Sequence, residues 1–151
     1  MRLLDRRLSR IDQRIDDFLR RYSIPALRLS LGIVFLWFGA LKVAGYTPVT
    51  DLVGRTVYWV DPEWFVPVLG VAEMFVGLGL ITRRLMRVVL GVFVLQMAGT
   101  FLVLLLLPGV AFQNGNYLLL TVEGEFVVKN LVLITAGMVV GATVHRRSER
   151  L

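Results

Sequence analysis

The chain contains no cysteine and a single histidine, His145, which sits beside Arg146 and Arg147. Without thiols there can be no disulfides, no thiol redox chemistry, no iron–sulfur cluster and no cysteine zinc site. One histidine cannot supply bis-histidine haem ligation or a histidine-rich metal site. There is no P-loop, no dinucleotide glycine fingerprint and no plausible catalytic triad. No metal, haem or catalytic residue is therefore expected, and any electrons that pass must be carried by an organic cofactor or another subunit.

Lysine is also scarce: of 17 basic residues 15 are Arg, and the two lysines are Lys42 and Lys129. The net charge of +6 raises the question of nucleic acid. The arginines, however, flank apolar runs instead of forming a stripe on a polar fold, which is a membrane-topology pattern. With 56% hydrophobic residues and a mean hydropathy of +0.71, the chain is richer in apolar residues than soluble domains, which sit near ~45–50%. At 151 residues one domain is expected.

Four stretches meet the ~20 apolar residues that a bilayer span needs. They are about 25–45, 62–82, 86–108 and 126–144. Ser23 is a candidate N-cap for the first, with Pro25 in its first turn. Seven Arg precede the first span, Arg83, Arg84 and Arg87 lie between the second and third, and Arg146, Arg147 and Arg150 follow the fourth. The other two connections carry Arg55 alone. This alternation predicts both termini on the cytoplasmic side of the cell (plasma or inner) membrane. The charged leader is long and the first span exceeds an h-region, so a cleaved signal peptide is not expected. The predicted fold is an all-α integral membrane four-helix bundle spanning 23–145, preceded by an amphipathic cytoplasmic helix over 1–22 and followed by a basic tail, 146–151.

In the leader, Leu4, Leu8, Ile11, Ile15 and Phe18 share one helical face, with Arg and Asp elsewhere. Such a helix either lies on the inner leaflet, its arginines near anionic headgroups, or docks onto a cytoplasmic partner. On the outer side, "TPVTDLVGRTVYWVDP" sets Leu52, Val53, Thr56, Val57 and Val60 on one helical face, with Asp51 and Arg55 spaced to pair. "FQNGNYLLLT" carries an Asn-Gly hairpin signal.

Ionisable residues inside spans are costly and usually face the bundle interior. Here they are Arg28, Lys42, Glu73 and Lys129, accompanied by Gln96, Thr100 and Asn130. Arg28 lies one turn into the first span, where its stem can snorkel toward headgroups. At ~1.5 Å per residue, Glu73 and Gln96 lie ~15 and ~18 Å below the outer end, and Lys42, Lys129 and Asn130 within ~8 Å of it. Either ammonium can reach water or turn inward to Glu73. Turned inward, Lys42, Glu73, Gln96, Lys129 and Asn130 form one polar cluster, with Glu123 and Glu125 above it. Glycines share these faces: Gly32 and Gly39 in the first span, Gly70 and Gly77 in the second, Gly137 and Gly141 in the fourth. Small residues let helices approach closely, so the polar faces are also the candidate packed faces. Glu73 is then either a register-fixing carboxyl or a proton-linked or ligand-binding acid.

At these residues the sequence resembles the DoxX family of small four-helix membrane proteins, including the related YkgB-type proteins. The matching pieces are "LRLSLGIVFLWFGALK", "AEMFVGLGLITRR", "LQMAGTF" and "EGEFVVKNLVLITAG", spaced through roughly residues 25–145. The resemblance implies a quinone-linked or redox-stress role, as a non-catalytic or quinone-binding subunit of an oxidoreductase. On that reading Glu73 relays protons, Lys42, Gln96 or Asn130 hydrogen-bonds the quinone carbonyls, and Trp37, Phe38, Phe75 and Phe101 are candidates to contact the ring. The partners expected are the lipid bilayer, a redox subunit as the resemblance implies, and a second copy of the chain in a homo-oligomer, with no nucleic acid. Two alternatives stand beside it. One is a small proton or anion transporter, since intramembrane charges mark such pathways. The other is a membrane scaffold that docks partners through the Arg-rich leader.

Overall fold

A computed structural model describes the backbone of residues 2–148 and the side chains of residues 12–143. The chain runs α1 (Arg2–Val43), α2 (Thr50–Thr56), α3 (Pro62–Thr82), α4 (Met86–Leu106), α5 (Pro108–Ala111), β1 (Phe112–Gln113), β2 (Asn116–Leu120) and α6 (Val122–Ser148). The helices α1, α3, α4 and α6 are each long and apolar enough to cross a membrane. They form a ring in which α1 packs on α3, α3 on α4, α4 on α6, and α6 back on α1. Leu95 and Leu105 of α4 and Val132 and Met138 of α6 are exposed on its outside. An apolar exterior on an apolar bundle is that of a multi-pass membrane protein.

Local sequence accounts for the helix ends. The Asp61 side chain accepts from the Glu63 backbone N–H at 2.9 Å, and Pro62 takes the first helical position, so α3 begins where the sequence predicts. Arg83 (φ 61°) and Leu85 (φ 51°) adopt left-handed conformations that turn α3 sharply into α4. The third span ends at Leu106, two residues short of its predicted limit, because Pro108 lacks an N–H and begins the one-turn α5. The fourth helix starts earlier than predicted, at Val122. Thr121 Oγ1 accepts from the Gly124 N–H at 3.1 Å and donates to the Val110 carbonyl at 2.5 Å, which pins the helix start against α5. Glu123 and Glu125 therefore fall in the first turn of α6, where acids complement the helix dipole. The Asn-Gly signal holds: Asn114 (φ 51°) and Gly115 (φ 71°) link β1 and β2 as an antiparallel hairpin, with an irregular register between Phe112 and Gln113.

The leader departs from expectation. Ser23 caps nothing, because α1 runs continuously from Arg2 to Val43 with Pro25 inside it. The leader and the first span are one helix, ~60 Å long at ~1.5 Å per residue. The side chains of Leu4, Leu8 and Ile11, and those of the tail from residue 144, lie outside the described residues. Asp51 and Arg55 lie in the first and last turns of α2, but no ion pair joins them among the described residues.

The core sits midway along the bundle, with Leu31, Phe35, Val76, Leu80, Val89, Phe93, Met97 and Val140 buried together. Phe35 and Phe93 meet across it with ring centroids 5.3 Å apart. The tightest seam joins α1 to α3. A Cβ built on Gly77 would lie 2.7 Å from the Gly32 carbonyl oxygen, and one on Gly70 would lie 2.7 Å from the Gly39 carbonyl oxygen. Heptad-spaced glycines on both helices thus let the two backbones touch, an association that needs no hydrophobic driving force in lipid.

Candidate functional site: an ion pair between the first and second spans

The glycine seam positions the charges. Gly70 faces the root of Lys42, and a Cβ there would lie 2.8 Å from Lys42 Cβ. Lysine stems on a helix lean back toward its N-terminus, and for Lys42 that direction leads down the seam to Glu73. Lys42 Nζ donates to Glu73 Oε2 at 2.7 Å and to Oε1 at 2.9 Å. The two side chains are only 13% and 16% exposed. Of the two directions open to Lys42, the inward one is realised, and a charge-assisted pair on both carboxylate oxygens locks the register of α1 against α3.

Gln96 approaches the same turn of α3 from the other side. Its Nε2 donates to the Leu69 carbonyl at 3.2 Å, one turn from Glu73. Its Oε1 is buried and has no partner. Buried acceptors are nearly always satisfied, so such an atom requires an explanation. The side chain of Asn130 is buried at 7% exposure on the face of α6 that also carries Val127 and Val140. No hydrogen bond joins it to Lys42, Glu73 or Gln96 among the described residues. Thr100 turns to its own helix, donating to the Met97 carbonyl at 2.7 Å.

Lys129 does not join the cluster. Its Nζ pairs with Glu125 Oε2 at 3.1 Å on the outside of α6, with the two side chains 73% and 56% exposed. The reason is angular: Lys129 precedes the buried Asn130 by one residue, a rotation of about 100°, and an acid waits four residues back. Of the aromatic candidates, Trp37 and Phe38 are exposed on α1. Phe75 is exposed as well, and Phe101 is half-buried. Arg28 is half-buried, and its Nε lacks a partner.

The structure therefore joins Lys42 to Glu73, ties Gln96 to the Leu69 carbonyl one turn of α3 away, sets Asn130 inside the bundle on the fourth helix, and turns Lys129 outward. Two contributors carried no side-chain signal in the sequence: the Leu69 carbonyl, and Gly70 as the gap that admits Lys42. The glycine was legible only as a small residue three positions before Glu73. Chemically the site offers a paired cation and anion and an unsatisfied amide oxygen, inside an apolar bundle. No family model, curated protein or solved structure matches this chain.

Proposed function

We propose that this chain is a DoxX-like membrane subunit of a quinone-linked or redox-stress system, with both termini on the cytoplasmic side of the cell membrane. The observation that carries the reading is the unpartnered Gln96 Oε1, held to α3 one turn from the Lys42–Glu73 pair. A quinone presents two carbonyl acceptors and its reduced form two hydroxyl donors. The Lys42 ammonium can donate to a carbonyl, and Gln96 Oε1 can accept from a hydroxyl. Reduction consumes two protons for two electrons, and Glu73 is the group that can pass protons here. Its lysine partner holds the compensating charge, and the electrons come from a partner subunit. Glu123 and Glu125, in the first turn of α6, supply acids on the outer side.

The test is quinone binding to the purified chain in lipid nanodiscs, comparing wild type with Glu73→Gln and Gln96→Leu. Saturable binding that weakens in both variants supports the reading. Negligible or equal binding in all three rejects it.

A scaffold reading is favoured by a separate observation, the unbroken continuation of α1 beyond its span. A rod on the cytoplasmic side is suited to docking. Removing residues 1–21 and looking for loss of co-purifying proteins separates this role from the quinone site, which such a truncation leaves in place.

A further inference from the structure

α1 has two opposite faces. Leu31, Phe35, Gly39 and Lys42 point into the bundle. Turning about 100° per residue, Ile15, Phe18, Leu19 and Tyr22 lie on the other side of the helix, and all four are exposed. The same line continues into the span, where Ile33, Leu36, Trp37, Ala40, Leu41 and Ala44 line an open, wholly apolar groove of about 400 Å³. One apolar face thus runs nearly the length of the helix, directly away from the other three spans.

Lipid can cover only part of it. Residues 25–43 span ~28 Å at ~1.5 Å per residue, which is the hydrocarbon thickness of a bilayer. Because α1 is continuous through Pro25, the segment carrying Ile15, Phe18 and Tyr22 extends along the helix axis beyond that thickness. There an exposed apolar stripe needs a protein partner.

The spacing and charges say which partner. Leu4, Leu8, Ile11, Ile15, Phe18 and Tyr22 recur at alternating intervals of four and three, the heptad repeat of a coiled coil. With Ile15 and Tyr22 at a and Phe18 at d, the g positions are Arg7, Arg14 and Arg21, and the e positions include Asp5 and Asp12. Flanking positions of unlike sign suit a parallel pair, in which g of one helix faces e of the next heptad on the other. Arg7 of each copy then meets Asp12 of the other. In an antiparallel pair g faces g and e faces e, so arginine would meet arginine and aspartate aspartate. Two copies inserted the same way in one membrane present their α1 helices parallel.

We propose that this face of α1 binds a second copy of the chain, giving a parallel two-fold dimer. A short coiled coil over the leader continues into a close helix approach at Ala40 and Ala44, small residues four apart, as membrane helix pairs favour. Membrane tethering raises the effective concentration of the leaders, which lets about three heptads suffice. The interface lies on the side of α1 opposite the Lys42–Glu73 site and does not depend on the quinone reading.

The absence of native cysteine makes the test direct. Single substitutions Ile15→Cys and Ala40→Cys on the face, and Asp17→Cys and Phe38→Cys off it, are made in the full chain. Each is oxidised in proteoliposomes at high lipid-to-protein ratio. Disulfide-linked dimers at both Ile15→Cys and Ala40→Cys, well above both off-face positions, are expected. Dimers at neither, at only one of the two, or equally at all four positions overturn the interface. Arg7→Asp is expected to lower Ile15→Cys crosslinking severalfold, and adding Asp12→Arg to restore it. Failure of the reversed pair to restore it overturns the parallel register.

Discussion

Lys42→Met removes the ammonium and keeps a stem of similar length over Gly70. The Glu73 carboxylate then stays between α1 and α3 without its counter-charge. At 13% and 16% side-chain exposure the pair is part-buried inside the bundle, and removing one partner of a fully buried pair costs about 3–5 kcal/mol, so the low end of that range applies. Replacing both partners with apolar residues of similar volume is close to neutral, because no charge is then left in the interior. The thermodynamic cycle of wild type, Lys42→Met, Glu73→Leu and the double variant should therefore be strongly non-additive. Each single variant is expected to lose about 3 kcal/mol. The double variant should recover most of that loss, with a coupling of at least about 2 kcal/mol. Unfolding of the purified chain in mixed micelles by graded SDS, followed by helical circular dichroism, gives the four stabilities. If the double variant loses the sum of the singles to within about 0.5 kcal/mol, the two groups act independently. The claim that the pair locks the first two spans would then be wrong.

Gly70→Ala forces a Cβ to 2.7 Å from the Gly39 carbonyl oxygen, a backbone atom with little freedom to retreat. It is expected to cost about 1–3 kcal/mol in the same unfolding assay. Gly99→Ala, which meets nothing within 4 Å, should be neutral or gain up to about 1 kcal/mol from helix propensity. Gln96→Leu gives up one hydrogen bond and also removes a buried, unpartnered oxygen. Its stability should stay within about 1 kcal/mol of wild type, so weaker quinone binding in that variant would report on the ligand and not on folding. Lys129→Ala breaks an exposed pair, and a change above about 1 kcal/mol would mean that Lys129 has a role the outward geometry does not supply.

Much of the fold was legible because bilayer insertion reads local composition. Pro62–Thr82 matches its predicted span end to end, since its apolar run is bounded by Asp61 and Pro62 at one end and by Arg83 and Arg84 at the other. The hairpin at Asn114–Gly115 was legible for the same reason, as few dipeptides accept two successive positive φ angles. Ser23 starts no helix, although the sequence around it has the pattern of a start. A cap residue followed by Pro ordinarily marks a start, but a proline is tolerated inside a helix when the chain on both sides continues the helical pattern, as it does here.

The candidate site was legible in part. Glu73 and Gln96 stood out as polar residues on glycine-bearing faces, and the structure joins them through one turn of α3. The fates of the two lysines were not legible, since each could reach inward or outward by length alone. Residue chemistry and order along the chain, which are local, determined by themselves that four helices cross a membrane and which few polar residues accompany them. Which polar groups meet was decided only in the tertiary structure, by the rotation of each helix about its axis. The Gly39–Gly70 contact turns Lys42 onto Glu73. About 100° of rotation between neighbouring residues buries Asn130 and leaves Lys129 outside.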